Sequence, residues 1–177
     1  ALSLEGALST GSPVCAVLGN GLDVVYPASS GRLYRDVEEN GCLITEYRPG
    51  TSPLPGNFPR RNRIMSGLSL GVLVVEATKK SGSLITADFA LEQGRDVFAV
   101  PGNIGLECCA GSNALIQDGA MLVTCGWDVM QTYQPLYPDR IRRWDGGDRL
   151  TLSPKDHKYL EELKVLHMKK QVKWLMY

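Results

Sequence analysis

Residues 14–18, 72–75 and 97–100 form runs with no polar residue other than one cysteine. A strand without a polar face cannot border water, so each run must be covered on both sides. Longer amphipathic stretches separate them, the pattern of a sheet lying between two helix layers. Crossovers between parallel strands are right-handed, so the expected fold class is α/β: a doubly wound, mainly parallel sheet with helices on both faces.

Weaker signals complete the order. Residues 42–45 and 121–123 read as further strands. Helices are expected over 30–40, closed by Gly41, over 83–93, closed by Gly94, and over 113–117 and 127–133. The character changes at Pro135. Asp145-Gly146-Gly147-Asp148 is linker-like, and residues 155–173 place Leu160, Leu163 and Leu166 at helical spacing among many charges. The expected organisation is a domain over 1–134, a linker over 135–151 and the start of a second domain over 152–177. The chain opens without Met and inside an apolar, helix-like stretch, so it is expected to be a fragment.

Hydrophobic residues make up 44% of the chain and charged residues 21%, as in soluble globular domains. The formal net charge of zero argues against a body coated in positive charge but permits a local basic site. No apolar run approaches the ~20 residues that span a bilayer. The first residues are too short and weakly flanked for a signal peptide. The five cysteines include the adjacent pair Cys108-Cys109 but no CxxC, as expected for reduced thiols in a cytoplasmic protein.

Ligands of open α/β sheets bind beyond the carboxyl ends of the strands. At the first such loop, Gly19-Asn20-Gly21, backbone amides can approach a ligand. A dinucleotide fingerprint needs a third glycine where Val24 stands, and a tight turn explains the loop equally well. The second loop leads into Phe58-Pro59-Arg60-Arg61-Asn62-Arg63. Pro59 suits a helix's first turn, with the interior starting near Ile64. That puts Arg60, Arg61 and Arg63 where the helix dipole disfavours cations by ~0.3–1 kcal/mol each. From Tyr47 to Val75 there are four arginines, Arg48 included, and no acid. This points to a bound anion, against the plainer reading of a solvated face or of pairs with acids elsewhere.

The third loop holds Lys80, Ser81, Gly82, Ser83 and Thr86. Ser83 reads as the N-cap of a helix whose amides point toward an anion, and Lys80 with the three hydroxyls adds donors. A plain cap beside solvated lysines explains Ser83 but not the crowding of Gly, Ser and Lys. The fourth loop, Pro101-Gly102-Asn103 with Gly111-Ser112-Asn113, fits a pocket wall or ordinary turns alike.

Catalytic equipment is thin. The two histidines, His157 and His167, lie in the tail. HExxH, DxD, GxSxG, Walker A and Cys/His clusters do not occur. Caps and ion pairs account for Asp23, Glu76, Asp88 and Asp96. No catalytic residue, cofactor or metal is assigned, and the expectation is a binding protein, not an enzyme.

Several blocks agree in order and spacing: Gly19-Asn20-Gly21-Leu22-Asp23-Val24-Val25-Tyr26-Pro27, Phe58-Pro59-Arg60-Arg61-Asn62-Arg63-Ile64, Ser66-Gly67-Leu68-Ser69, Ser81-Gly82-Ser83-Leu84-Ile85-Thr86-Ala87, Gly94-Arg95-Asp96-Val97-Phe98-Ala99-Val100-Pro101-Gly102 and Gly111-Ser112-Asn113. Over about residues 8–134 the chain resembles the DNA-processing protein A family (DprA, also called Smf). The resemblance implies a Rossmann-like fold that binds single-stranded DNA, forms homodimers and loads RecA recombinase onto the strand, in natural transformation where the host is competent. It also implies more of the Rossmann domain upstream, with another Gly/Ser-rich phosphate loop. Leu152-Ser153-Pro154 resembles the start of the small winged-helix domain in which many members end.

The expected site therefore joins Gly19, Asn20, Gly21, Phe58, Arg60, Arg61, Asn62, Arg63, Lys80, Ser81, Gly82, Ser83 and Thr86 around DNA phosphates, with Phe58 or Asn62 against a base. Replacing Arg61 and Arg63 with Ala should then weaken DNA binding by more than about tenfold and leave stability unchanged or slightly raised. The alternative is an enzyme on nucleoside monophosphates, resembling phosphoribohydrolases once taken for lysine decarboxylases. Their Pro-Gly-Gly-x-Gly-Thr-x-x-Glu signature is broken here by Asn103 and Leu106, and Glu107 stands too close. A RecA-binding scaffold that does not use the arginine loop is a third reading. The stripe Trp127, Met130, Tyr133 faces either the core or a dimer partner.

Overall fold

A computed structural model describes residues 2–141 together with 175–176. Residues 142–151 of the expected linker and nearly all of the expected second domain lie outside the described residues. The order is α1 (Leu2–Ser9), β1 (Val14–Val17), α2 (Gly31–Asn40), β2 (Gly41–Ile44), α3 (Asn57–Gly67), β3 (Gly71–Val74), α4 (Gly82–Glu92), β4 (Asp96–Ala99), α5 (Ala110–Gln117), β5 (Met121–Leu122), α6 (Gly126–Tyr133) and β6 (Leu175–Met176).

The α/β class holds, with one difference. The parallel strands form two sheets, β1-β2 and β5-β4-β3-β6, instead of one. β6 runs antiparallel along the edge of β3 that faces away from β4, and β1 bonds only to β2 among the described residues. Every other pairing is parallel.

Successive residues of β3 point to opposite faces. Val72 and Val74 join Val97, Ala99, Ala87, Ala90 and Leu115 in one core, covered by α4 and α5. Leu73 joins Phe98, Val123, Val129 and Tyr133 in a second core, covered by α6. Helices therefore lie on both faces, which is why these strands carry no polar side. Phe98 is 1% exposed, so truncating it to Ala costs ~3–5 kcal/mol. Trp127 and Met130 pack against the second core and Tyr133 is part of it, so the α6 stripe faces inward.

Two glycines close helices for different reasons. At Gly94, φ is 66°, the left-handed conformation that ends α4 as expected. Gly41 ends α2 for a different reason. Its backbone is extended, and a Cβ there would lie 1.7 Å from the Val14 carbonyl oxygen, so only glycine lets β2 approach β1. No described helix is long and apolar enough to cross a membrane.

Candidate nucleic-acid interface

The helix that carries the arginines begins earlier than expected. α3 starts at Asn57, which places Pro59 third in the helix and Arg60, Arg61 and Arg63 beyond the three residues with wholly unbonded amides. The unfavourable dipole term anticipated for them is correspondingly weaker, because it fades within the first turn.

The three arginines then take three different roles. Arg61 turns inward. Its Nη1 donates to the Val17 carbonyl at the end of β1, and its Nε donates to Asn62 Oδ1 at 3.2 Å. Its guanidinium also lies 5.6 Å from the centre of the Phe58 ring. Burial lowers its pKa from arginine's ordinary value, yet a guanidinium stays charged. Arg63 is exposed and forms a bidentate pair with Glu46, the residue just outside the acid-free window. Arg60 is exposed and has no hydrogen bond or ion pair among the described residues.

The opening glycine loop is closed by internal contacts. Gly19, Asn20 and Gly21 are buried. Asn20 Nδ2 donates to the carbonyls of Gly21 at 3.0 Å and Val24 at 2.6 Å. Gly21 N–H donates to Thr51 O at 3.0 Å, and Asn57 Nδ2 to Gly19 O at 2.8 Å. A Cβ at Gly21 would meet Arg48 O at 2.7 Å, and one at Gly19 would meet the Phe58 ring at 3.1 Å. The glycines thus serve close packing of the 48–51 turn and Phe58, and the Asn20 side chain is not presented to a ligand.

The α4 start also differs in detail. Ser81, not Ser83, is the N-cap, and its Oγ accepts from Ser83 N–H at 3.4 Å. A turn in which Ser81 N–H bonds Thr78 O delivers the chain to the helix two residues sooner. Ser83 and Thr86 are buried, at 1% and 2% exposure. The Ser83 hydroxyl is bonded to Ser81 Oγ, and little of either side chain is left for the expected phosphate contacts. Lys79, Lys80 and Gly82 are exposed, and neither lysine has a polar partner among the described residues. Asn62 Nδ2 lies 3.5 Å from Gly82 O, which joins the α3 arginine segment to the start of α4.

The fourth loop is self-contained: Gly102 N–H donates to Asn113 Oδ1 at 2.9 Å, and Asn113 Nδ2 returns to Gly102 O at 3.0 Å. No group of three or more His, Cys, Asp and Glu is placed to hold a metal ion among the described residues.

What remains accessible at the carboxyl ends of β1 and β3 is a smaller site than expected, with three uncommitted cations. Arg60, Lys79 and Lys80 are exposed and without polar partners among the described residues; Asn62, Ser81 and Gly82 supply neutral donors; Arg61, bonded to Val17 O and placed over Phe58, holds the segment in position. Sequence reasoning missed two participants. Glu46 stood one residue outside the window searched for acids. Tyr26 follows the glycine loop, is 48% exposed, and has its ring 5.6 Å from that of Phe58.

A family model described as DNA recombination-mediator protein A matches residues 1–134. DNA processing protein DprA of Streptococcus pneumoniae is 48% identical over 128 residues, covering 72% of this chain and 45% of that protein. Protein Smf of Escherichia coli is 50% identical over 131 residues, covering 73% and 35% respectively. The chain thus spans less than half the length of these relatives. The crystal structure of the S. pneumoniae protein superposes with a TM-score of 0.68, again over 72% of this chain and 45% of that one. DNA processing protein A of Helicobacter pylori, studied for its mode of binding single-stranded DNA, superposes with a TM-score of 0.66 at 22% identity, over 77% of this chain and 72% of its own. At that identity the likeness concerns the fold alone. With a matching model across 134 residues and close relatives that share its fold, the chain belongs to the DNA recombination-mediator protein A family.

Proposed function

We propose that this chain is the single-stranded-DNA-binding part of a cytoplasmic recombination mediator that works as a homodimer and loads RecA recombinase during DNA uptake. The observation that carries the reading is that Arg60 on α3 and Lys79 and Lys80 just before α4 are exposed and without polar partners among the described residues, on a chain of zero net charge. Arg60, Lys79 and Lys80 neutralise successive phosphates, and the Gly82 main chain with the Asn62 amide adds uncharged contacts. Nothing in the site reads base edges, so binding is base-nonspecific and salt-dependent. The H. pylori protein, which has this fold, binds single-stranded DNA. The role in this reading is binding without catalysis, with the phosphates held by side chains and main chain.

The test is fluorescence anisotropy of a labelled oligothymidine and of a duplex of equal length, titrated across salt, with adenine release from adenosine monophosphate assayed in parallel. Single-strand binding well above duplex binding, falling steeply with salt, is expected. Equal affinity for the two forms sinks the site, and enzymatic release of adenine sinks the non-catalytic reading.

A further inference from the structure

We propose that Tyr26 is the nucleobase-stacking residue of this site, an inference that rests on the single-stranded-DNA reading above. Phe58 is the aromatic that the sequence singles out, but its surroundings are filled. Gly19 lies close against the ring, Arg61 is placed over it, and Tyr26 packs at 42° to it. Tyr26 is the outer member of this ring pair, with about half of its surface open.

Three features suit Tyr26 to take a base. It belongs to the loop that leaves β1 and its ring meets Phe58, two residues before Arg60 on α3, so it stands at the segment that carries one of the phosphate-binding cations. Its ring is already propped by Phe58, and Tyr34 Oη lies 3.4 Å from both its main-chain nitrogen and its oxygen. A ring ordered before binding loses little freedom when a base lands on it. Its hydroxyl has no partner among the described residues, so the ring is not committed to a polar network. Because every base has a π face, stacking here adds affinity without sequence preference.

The experiment uses the full chain and two strands of equal length, oligothymidine and a base-free deoxyribose-phosphate strand. Tyr26→Leu is expected to weaken oligothymidine binding about tenfold, within the range typical of lost base stacking, and to leave the base-free strand unaffected. Tyr26→Trp and Tyr26→Phe, which keep an aromatic face, retain oligothymidine binding and guard against a trivial folding defect. In the unaltered protein, a single-stranded probe containing 2-aminopurine should be quenched on binding, and Tyr26→Leu should abolish the quench. Equal loss for both strands, or no loss for either, overturns the assignment of Tyr26 while leaving the binding reading intact. If the unaltered protein binds neither strand, the underlying reading fails as well.

Discussion

The Arg61 guanidinium donates to the main-chain oxygen of Val17, tying the second turn of α3 to the end of β1. The contact reverses the expected sign of a stability effect. Removing Arg61 does not relieve a repelled cation; it strips the carbonyl of buried Val17 of this partner and takes the cation from over Phe58. Arg61→Ala is therefore expected to destabilise the protein by ~1–3 kcal/mol in urea unfolding. Arg61→Lys should recover little, because an ammonium lacks the planar fork that bonds Val17 and stacks at once. An Ala variant as stable as the parent would show that the contact contributes nothing.

Arg63 behaves differently because its pair with Glu46 is about half exposed on both sides. Such pairs contribute only ~0.2–1 kcal/mol, so Arg63→Ala should melt close to the parent. Glu46→Gln is the more informative change. It frees a cation next to the site and should tighten binding to oligothymidine at low salt. Weaker binding in Glu46→Gln, at unchanged melting temperature, would mean that Arg63 does not face the DNA.

Asp128 anchors the start of α6. Its carboxylate accepts from Thr124 N–H at 2.6 Å, Thr124 Oγ1 at 2.8 Å and Cys125 N–H at 3.0 Å. These bonds pull its pKa from 3.8 down to about 2. A folded value below the unfolded one means the contribution is present above pH 3.8 and fades as pH falls toward 2. Asp128→Ala should lower the melting temperature at neutral pH, and its difference from the parent should shrink across that acid window. A constant difference down to pH 2 would contradict the assignment.

The strands and both helix layers were legible because a run such as Val72 to Val75 has no polar face to offer water. The arginine segment was legible in composition but not in role. Proline is tolerated anywhere among the first three residues of a helix, so Pro59 could not tell a start at Asn57 from one at Pro59 itself. Roles followed that shift. Asn20 looked like a ligand contact because a buried amide that bonds its own loop leaves no mark in sequence. Ser83 looked like a cap because Ser81, two residues away, has the same chemistry. The division of the parallel strands into two sheets had no sequence signal, since β1 and β3 are apolar whichever neighbour they take.

The cations that meet phosphate define the site, and the salt dependence of binding counts them. Arg60 and Lys80 are exposed and without partners among the described residues, so replacing both with Ala should change stability by no more than ~0.5 kcal/mol. Each phosphate contact on a single strand contributes about 0.7 to the slope of log affinity against log salt. The double variant is therefore expected to bind oligothymidine more weakly, with a slope shallower by about 1.4. Parental affinity with an unchanged slope would place the DNA elsewhere on the molecule and contradict the site.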